Sequence, residues 1–287
     1  MIAVCYATTA FQSSHVQAIQ EDDMENIQTL APLFLVNLAV LLAFMFGGWL
    51  LSLARKNAAL ADRLWGLGFV LVAWLTFFRV QAGEPRQVIM AVLATLWGLR
   101  LFAHISWRGR GKGEDPRYGA MRAKHGEMFW IISLFKVFIV QALFLWVIAL
   151  GLQYGIAVPE PRGLTALDIA GLLIWSAGFI IESVADYQLA RFIADPANRG
   201  RIMNRGLWRY SRHPNYFGES TIWWGIFVIV LSTPLGFWTV ISPLLITWTL
   251  LRVSGVTLME KTIFGDNREY REYVRRTSSF IPWFPRK

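Results

Sequence analysis

Apolar residues in this chain gather into seven blocks separated by short polar connections. The blocks run over Ala31–Ala54, Leu64–Phe78, Gln87–Trp107, Met128–Leu150, Ala166–Ala185, Phe217–Leu231 and Pro234–Val253. A helix of about 20 apolar residues crosses the hydrocarbon core of a bilayer. The first, third, fourth and fifth blocks have that length, whereas the second and sixth are shorter. A short block crosses by tilting little, by sitting in thinner membrane or by extending into its polar flanks. Thr233-Pro234-Leu235-Gly236 supplies turn residues between the last two. The pattern predicts an all-α integral membrane protein with about seven transmembrane helices. Residues 31–287 then form a single membrane domain, with neither internal repeats nor a soluble domain large enough to stand alone.

Composition agrees with this pattern. Only 16% of the residues are charged, against roughly 25% in soluble domains. The net charge of +9 has the sign a nucleic-acid partner would need, but its distribution argues otherwise. The first, third and fifth connections and the C-terminal tail hold 22 lysines and arginines, and the alternate connections hold 3. Such asymmetry is the positive-inside signal and suits contact with anionic lipid rather than nucleic acid. It predicts an N-terminus outside and a C-terminus in the cytoplasm, with every dense polar cluster on the cytoplasmic side. The single cysteine, Cys5, excludes an intramolecular disulfide and a cysteine-based zinc site, and no metal is expected. Residues 1–30 form an N-terminal extension without the basic and apolar regions of a signal peptide. Two readings of it stand: a disordered tail, or a mis-called extension with the true start at Met24 rather than Met1.

Polar groups inside or beside apolar blocks need partners. Arg100 and His104, four apart, share a face of the third helix. Arg100 either snorkels to the headgroups or belongs to a site. Lys136 lies about two turns into the fourth block, and a lysine at that depth is expected to face the bundle and pair with an acid. Glu182 and Asp186 share a face at the end of the fifth helix. They form a structural ion-pair network, or they orient arginines that hold an anionic cofactor. The connection Trp107-Arg108-Gly109-Arg110-Gly111-Lys112-Gly113-Glu114-Asp115-Pro116-Arg117-Tyr118 alternates glycines with bases, which suits approach to phosphates. It has neither the Walker nor the Rossmann spacing.

The densest cluster is Gly206-Leu207-Trp208-Arg209-Tyr210-Ser211-Arg212-His213-Pro214-Asn215-Tyr216-Phe217-Gly218-Glu219, at the mouth of the sixth block. Arg201, Arg205, Arg209 and Arg212 lead into it, and arginine forks bind phosphate bidentately. Pro214 biases His213 away from helix and allows a helix to start after it. Asn215 and Glu219 would then share its first turn, where free N–H groups favour anions. An interfacial aromatic belt would explain the tyrosines and arginines, but not His213, Asn215 and Glu219 together.

These residues resemble the C-terminal domain of the membrane steroid 5-alpha-reductases and of a bacterial membrane branch of undetermined function grouped with them. The bacterial branch is the more similar. Its patterns stand here as Asp62-Arg63-Leu64-Trp65-Gly66, Trp97-Gly98-Leu99-Arg100-Leu101, Gly113-Glu114-Asp115-Pro116-Arg117-Tyr118, Ala185-Asp186-Tyr187-Gln188-Leu189 and Tyr270-Arg271-Glu272-Tyr273. The resemblance implies a bacterial inner-membrane enzyme with a cofactor cavity open to the cytoplasm, built mainly from residues 182–287. It implies NADPH as cofactor and reduction of an activated carbon–carbon double bond. Asp186, Arg201, Tyr210, Asn215, Tyr216 and Glu219 carry over as cofactor contacts. Two departures stand out. Ile222 replaces a second glutamate of the reductases, and no matching pattern for their ketone-holding glutamate and tyrosine precedes Arg100. The Arg212-His213-Pro214 core, with Glu260 and Phe264-Gly265, is also similar to isoprenylcysteine carboxyl methyltransferases, which use S-adenosylmethionine.

The expectation is therefore a membrane-embedded NADPH-dependent reductase of a lipidic, steroid-like or isoprenoid-like substrate. Its expected cofactor residues are Asp186, Arg201, Arg205, Tyr210, Arg212, His213, Asn215, Tyr216, Glu219 and Glu260. His104, Lys136 and Tyr118 are the candidate catalytic acids. The alternatives are an S-adenosylmethionine-dependent methyltransferase acting on a membrane acceptor, and a non-enzymatic lipid-binding membrane protein.

Overall fold

The computed structural model describes residues 30–253 and 268–286. Met24, Glu260 and Phe264-Gly265 lie outside the described residues. Within them the chain is helical, and no strand is present among the described residues. The helices are α1 (Leu30–Ala54), α2 (Leu60–Arg79), α3 (Pro85–Arg108), α4 (Pro116–His125), α5 (Phe129–Ser133), α6 (Val140–Ile148) and α7 (Leu150–Ala157). They continue with α8 (Ala166–Ala194), α9 (Pro214–Val230), α10 (Ile241–Trp248) and α11 (Arg268–Arg276).

Five stretches are long and apolar enough to cross a membrane: α1, α2, α3, α8 and the run Pro116–Ile148 that joins α4 to α6. The chain is thus an integral membrane protein. α9 has 17 residues, and the seventh apolar block divides into a 3-10 turn, the 8-residue α10 and a π turn, Thr249–Val253. Leu96, Leu99, Leu173, Ile180 and Leu244 are exposed, as expected of side chains that meet lipid rather than water.

Helix starts follow local chemistry. α3 opens with a capping box of Glu84 and Gln87 around Pro85, and α8 opens with one of Thr165 and Asp168. Asp115 caps α4 by accepting from the Arg117 N–H, with Pro116 at the first helical position. α9 begins at Pro214, after a non-helical His213.

Salt bridges from two arginines fix helix directions. Arg86, in the first turn of α3, donates to Asp168, in the first turn of α8, at 2.7 Å. Arg100, near the other end of α3, pairs with Glu182 and Asp186, near the other end of α8. α3 and α8 therefore run parallel. α9 runs antiparallel to α8, and their backbones touch through glycines. A Cβ on Gly171 would lie 2.6 Å from the Gly225 carbonyl oxygen, and one on Gly178 would lie 2.7 Å from that of Gly218. Small residues are how helices approach closely without a hydrophobic drive from water. The consequence is local: Gly218 packs onto the Glu182 backbone, which sets the first turn of α9 beside the last turns of α8.

The fourth block differs from its expectation. Its helix begins at Pro116 and passes through a π turn at Leu134–Ile139. There Val137 and Phe138 are buried, while Phe135 and Lys136 face out. Lys136 forms no ion pair among the described residues, so the expectation that it faces the bundle and meets an acid is corrected. The π turn adds a residue to the helical repeat, and the two apolar side chains take the inward positions.

Candidate functional site

The site is built where α3, α8 and α9 meet, at the end of the bundle that carries the basic connections. Arg100 is its centre. Its Nη1 donates to Glu182 Oε1 at 2.5 Å and its Nη2 to Asp186 Oδ2 at 2.6 Å. Glu182 and Asp186, four residues apart on α8, thus present both carboxylates to one guanidinium. Trp97, one turn before Arg100, donates from Nε1 to Glu182 Oε2 at 3.1 Å. His104, one turn after it, places Nε2 3.5 Å from Asp186 Oδ2. From α9, Asn215 donates to Asp186 Oδ1 at 3.1 Å. Arg100 is committed to these partners, and its side chain is only 17% exposed, so it does not snorkel.

Beneath the carboxylates lies an apolar floor. Trp97 and Trp223 meet edge to face at 5.4 Å, and Phe69 packs against both. Glu219, one turn along α9 from Asn215, is buried within electrostatic reach of Glu182, Asp186 and Arg100. Three carboxylates therefore surround one guanidinium. The Asn215 side-chain oxygen is buried with no hydrogen-bond partner among the described residues. A buried acceptor of this kind costs about 1–3 kcal/mol unless a donor reaches it, which marks a place for a ligand N–H.

The expected residues do not all gather in one place. Asp186, Asn215, His104 and Glu219 come together. His213 and Tyr216 stack in parallel at 5.4 Å beside them, with Arg108 and Arg117 within electrostatic reach of Tyr216. Arg201 and Arg205 stand exposed on the connection from α8 to α9, as do Arg199 and Arg209. None of these four forms a salt bridge among the described residues.

Tyr210 and Arg212 turn elsewhere. The Arg212 guanidinium donates to the carbonyls of Val274 and Thr277, at 2.8 and 3.2 Å, closing the end of α11. The Tyr210 carbonyl accepts from the Trp283 N–H at 2.9 Å, and its ring meets Phe284 edge to face at 6.0 Å. Tyr273 donates its hydroxyl proton to the Trp208 carbonyl. The first half of the Gly206–Glu219 stretch is thus a dock for the C-terminal segment, and only its second half enters the site.

Tyr118 belongs to a separate cluster. Its hydroxyl donates to Asp62 Oδ1 at 2.6 Å and accepts from Gln141 at 3.2 Å. Arg117 bridges Asp62 and Asp115. Next to it, Arg122 donates twice to Glu114, which lies just before the run Pro116–Ile148 and also accepts from the Ala58 N–H. Those bonds hold the Glu114 carboxyl below the usual carboxylate range.

Sequence reasoning left Arg100, Glu182 and Trp97 out of the expected contacts. The signal was two i,i+4 pairs of opposite charge, Arg100/His104 and Glu182/Asp186, on different helices. Which helices pack together is not written in either pair alone.

A family model described as "Protein of unknown function (DUF1295)" matches residues 48–277. That span holds Trp97, Arg100, Glu182, Asp186, Asn215 and Glu219. The chain is also similar to an uncharacterized protein of Schizosaccharomyces pombe, C594.04c. The two are 28% identical over 277 residues, covering 85% of this chain and 78% of that one. No solved structure matches.

Proposed function

The chain belongs to the family described as proteins of unknown function, DUF1295, related to steroid 5-alpha-reductase-like proteins, and we propose that it is a membrane-embedded NADPH-dependent reductase. The substrate is a lipidic molecule with an activated double bond. The observation that carries this reading is the run of exposed arginines, 199, 201, 205 and 209, without salt bridges among the described residues, leading to a buried polar site. Arginine forks fit a cofactor with several phosphates. The partnerless Asn215 oxygen fits the N–H of a carboxamide. NADPH supplies the hydride when bound.

The chain's own residues bind and orient. Arg201 and Arg205 hold phosphate. Arg100 fixes Glu182 and Asp186, Asp186 in turn fixes the Asn215 amide, and the His213–Tyr216 stack offers an aromatic wall. His104, with Nε2 3.5 Å from Asp186 Oδ2, is one candidate proton donor. Tyr118, bonded to Asp62, is the alternative donor. We read the chain as seven crossings, with its N-terminus outside and the site facing the cytoplasm of a bacterial inner membrane. The antiparallel α8 and α9 and the basic connections at one end support this.

A second reading rests on a different observation. Three buried carboxyl groups crowd around one guanidinium, an acceptor-rich inner site that suits the sulfonium of S-adenosylmethionine. The two readings separate by titrating detergent-purified protein with each cofactor while tryptophan fluorescence and melting temperature are followed. The reductase reading expects a response to NADPH that Asn215→Ala and Arg201→Ala each weaken. A response to S-adenosylmethionine alone would overturn it in favour of the methyltransferase. Silence to both, with binding to anionic liposomes kept, would favour a lipid-binding protein.

A further inference from the structure

The C-terminal segment forms a second basic site, separate from the Arg100 cluster. A cavity of about 440 Å³ lies between α11 and the residues after it. Arg275, Arg276 and Arg286 line it, together with Ser278, Ser279 and the outer side of Arg212. Arg276 and Arg286 are exposed and form no salt bridge among the described residues. Among the described residues, Arg275 has a long contact of 3.7 Å to Glu272 as its one salt bridge. Arg212 is bound to backbone carbonyls of α11, so it keeps the cleft in shape.

The cleft is preorganised. The Arg212 N–H donates to the Ser278 carbonyl at 2.8 Å, and Ser211 Oγ donates to the Phe280 carbonyl at 2.8 Å. The Arg286 N–H donates to the Arg276 carbonyl at 2.9 Å, which brings these two arginines to one mouth. Ile281, Trp283 and Phe284 beside it are 62%, 70% and 76% exposed. Arginines with hydroxyls bind phosphate oxygens. Exposed aromatic and aliphatic side chains at the same rim belong in the interfacial layer of a bilayer.

We propose that this cleft binds the phosphate of an anionic phospholipid of the surrounding membrane, with Trp283 and Phe284 seated among its headgroups. A free phosphate or a nucleotide cofactor would use the guanidiniums but would leave the apolar rim in water. The apolar rim therefore selects the lipid. Lipid binding here is independent of the reductase reading, because the phosphatidylglycerol titration contains no nucleotide.

The test uses the full chain in a mild detergent. Melting temperature is followed against added phosphatidylglycerol, phosphatidylcholine, inorganic phosphate and NADPH in separate titrations. Phosphatidylglycerol is expected to raise the melting temperature, and phosphatidylcholine and phosphate are expected not to. The double variant Arg276→Gln/Arg286→Gln should need roughly thirtyfold more phosphatidylglycerol for the same shift, from about one step of basic-residue attraction per arginine. The variant Arg55→Gln/Lys124→Gln removes the same charge elsewhere on the basic end and should respond as the wild type does. Equal weakening in both variants would sink the site in favour of diffuse charge. An equal shift with inorganic phosphate would replace the lipid by a free anion. Loss of an NADPH shift in Arg276→Gln/Arg286→Gln would reassign the cleft to the cofactor. If NADPH shifts nothing in any variant while phosphatidylglycerol behaves as expected, the lipid site stands and the reductase reading falls.

Discussion

Arg100 neutralises two carboxylates that the fold has already taken out of water. Glu182 and Asp186 are 2% and 6% exposed, and removing their guanidinium leaves buried charge without compensation. Arg100→Met should therefore cost about 3–5 kcal/mol, read as a lowered melting temperature in detergent. Adding Glu182→Gln should recover part of that loss, because one of the stranded charges is gone. If the double variant melts no higher than Arg100→Met, the pair is not what holds this end of the bundle. Glu114 gives a second, pH-dependent case. Its carboxyl is held below the usual range by hydrogen bonds from Arg122. The stabilisation is thus complete above the unfolded value of about 4.3 and is lost as pH falls through the lower folded value. Acid should lower the melting temperature less in Glu114→Gln than in the wild type; parallel curves would rule out that linkage. These residues also show how far single positions can be read. Asn215 and Asp186 were legible because a polar side chain beside an apolar block demands a partner. Lys136 raised the same demand, yet the π turn faces it outward. Arg212 gives its N–H donors to the end of α11, since backbone carbonyls also accept from a guanidinium.

At the scale of elements, the site depends on how closely α8 and α9 approach. Their glycines repeat at the same interval, Gly171 and Gly178 on one helix, Gly218 and Gly225 on the other. A Cβ at Gly218 would lie 2.5 Å from the Glu182 backbone nitrogen. Gly218→Val must push the helices apart, and that displacement carries Asn215 away from Asp186. A loss of about 1–3 kcal/mol or more is expected, together with weaker cofactor-induced change in tryptophan fluorescence. Gly47→Val, which has nothing within 4 Å of the added carbon, should change neither. Equal effects at both positions would mean that close packing is not what places the site. Helix existence was readable from the apolar blocks, and the α9 start from Pro214. The π turns at 134–139 and 249–253 were not, because they depend on which neighbours a helix must fit. The extension of α8 to Ala194 was also missed: its last turns are polar, and the following connection bonds to them, the Leu207 N–H donating to Gln188, Trp208 Nε1 to the Ala185 carbonyl and Asn198 to the Phe192 carbonyl.

For the whole molecule, direction is the property that links fold to function. Arg86, bonded to Asp168 and to the carbonyls of Glu160, Pro161 and Gly163, ties one end of the bundle. The Arg100 cluster and the C-terminal cleft occupy the other. The basic connections share that second end, as the charge pattern of the sequence alone implied, whereas the pairing of α3 with α8 could not be read because the residues involved are 82 and 86 positions apart. If the seven-crossing topology holds, the Arg162 turn and the Lys124 region face opposite sides of the membrane. Cys5→Ser removes the native thiol, and single cysteines are then placed at Arg162 and Lys124, both in exposed positions. A membrane-impermeant maleimide should label Arg162→Cys in intact cells and Lys124→Cys only after permeabilisation. The reverse pattern would put the site outside the cell. A cytoplasmic nucleotide could not then reach the arginines of residues 199–209, and the reductase reading would fail with the topology. Labelling of both sites in intact cells would remove the requirement for an odd number of crossings between them.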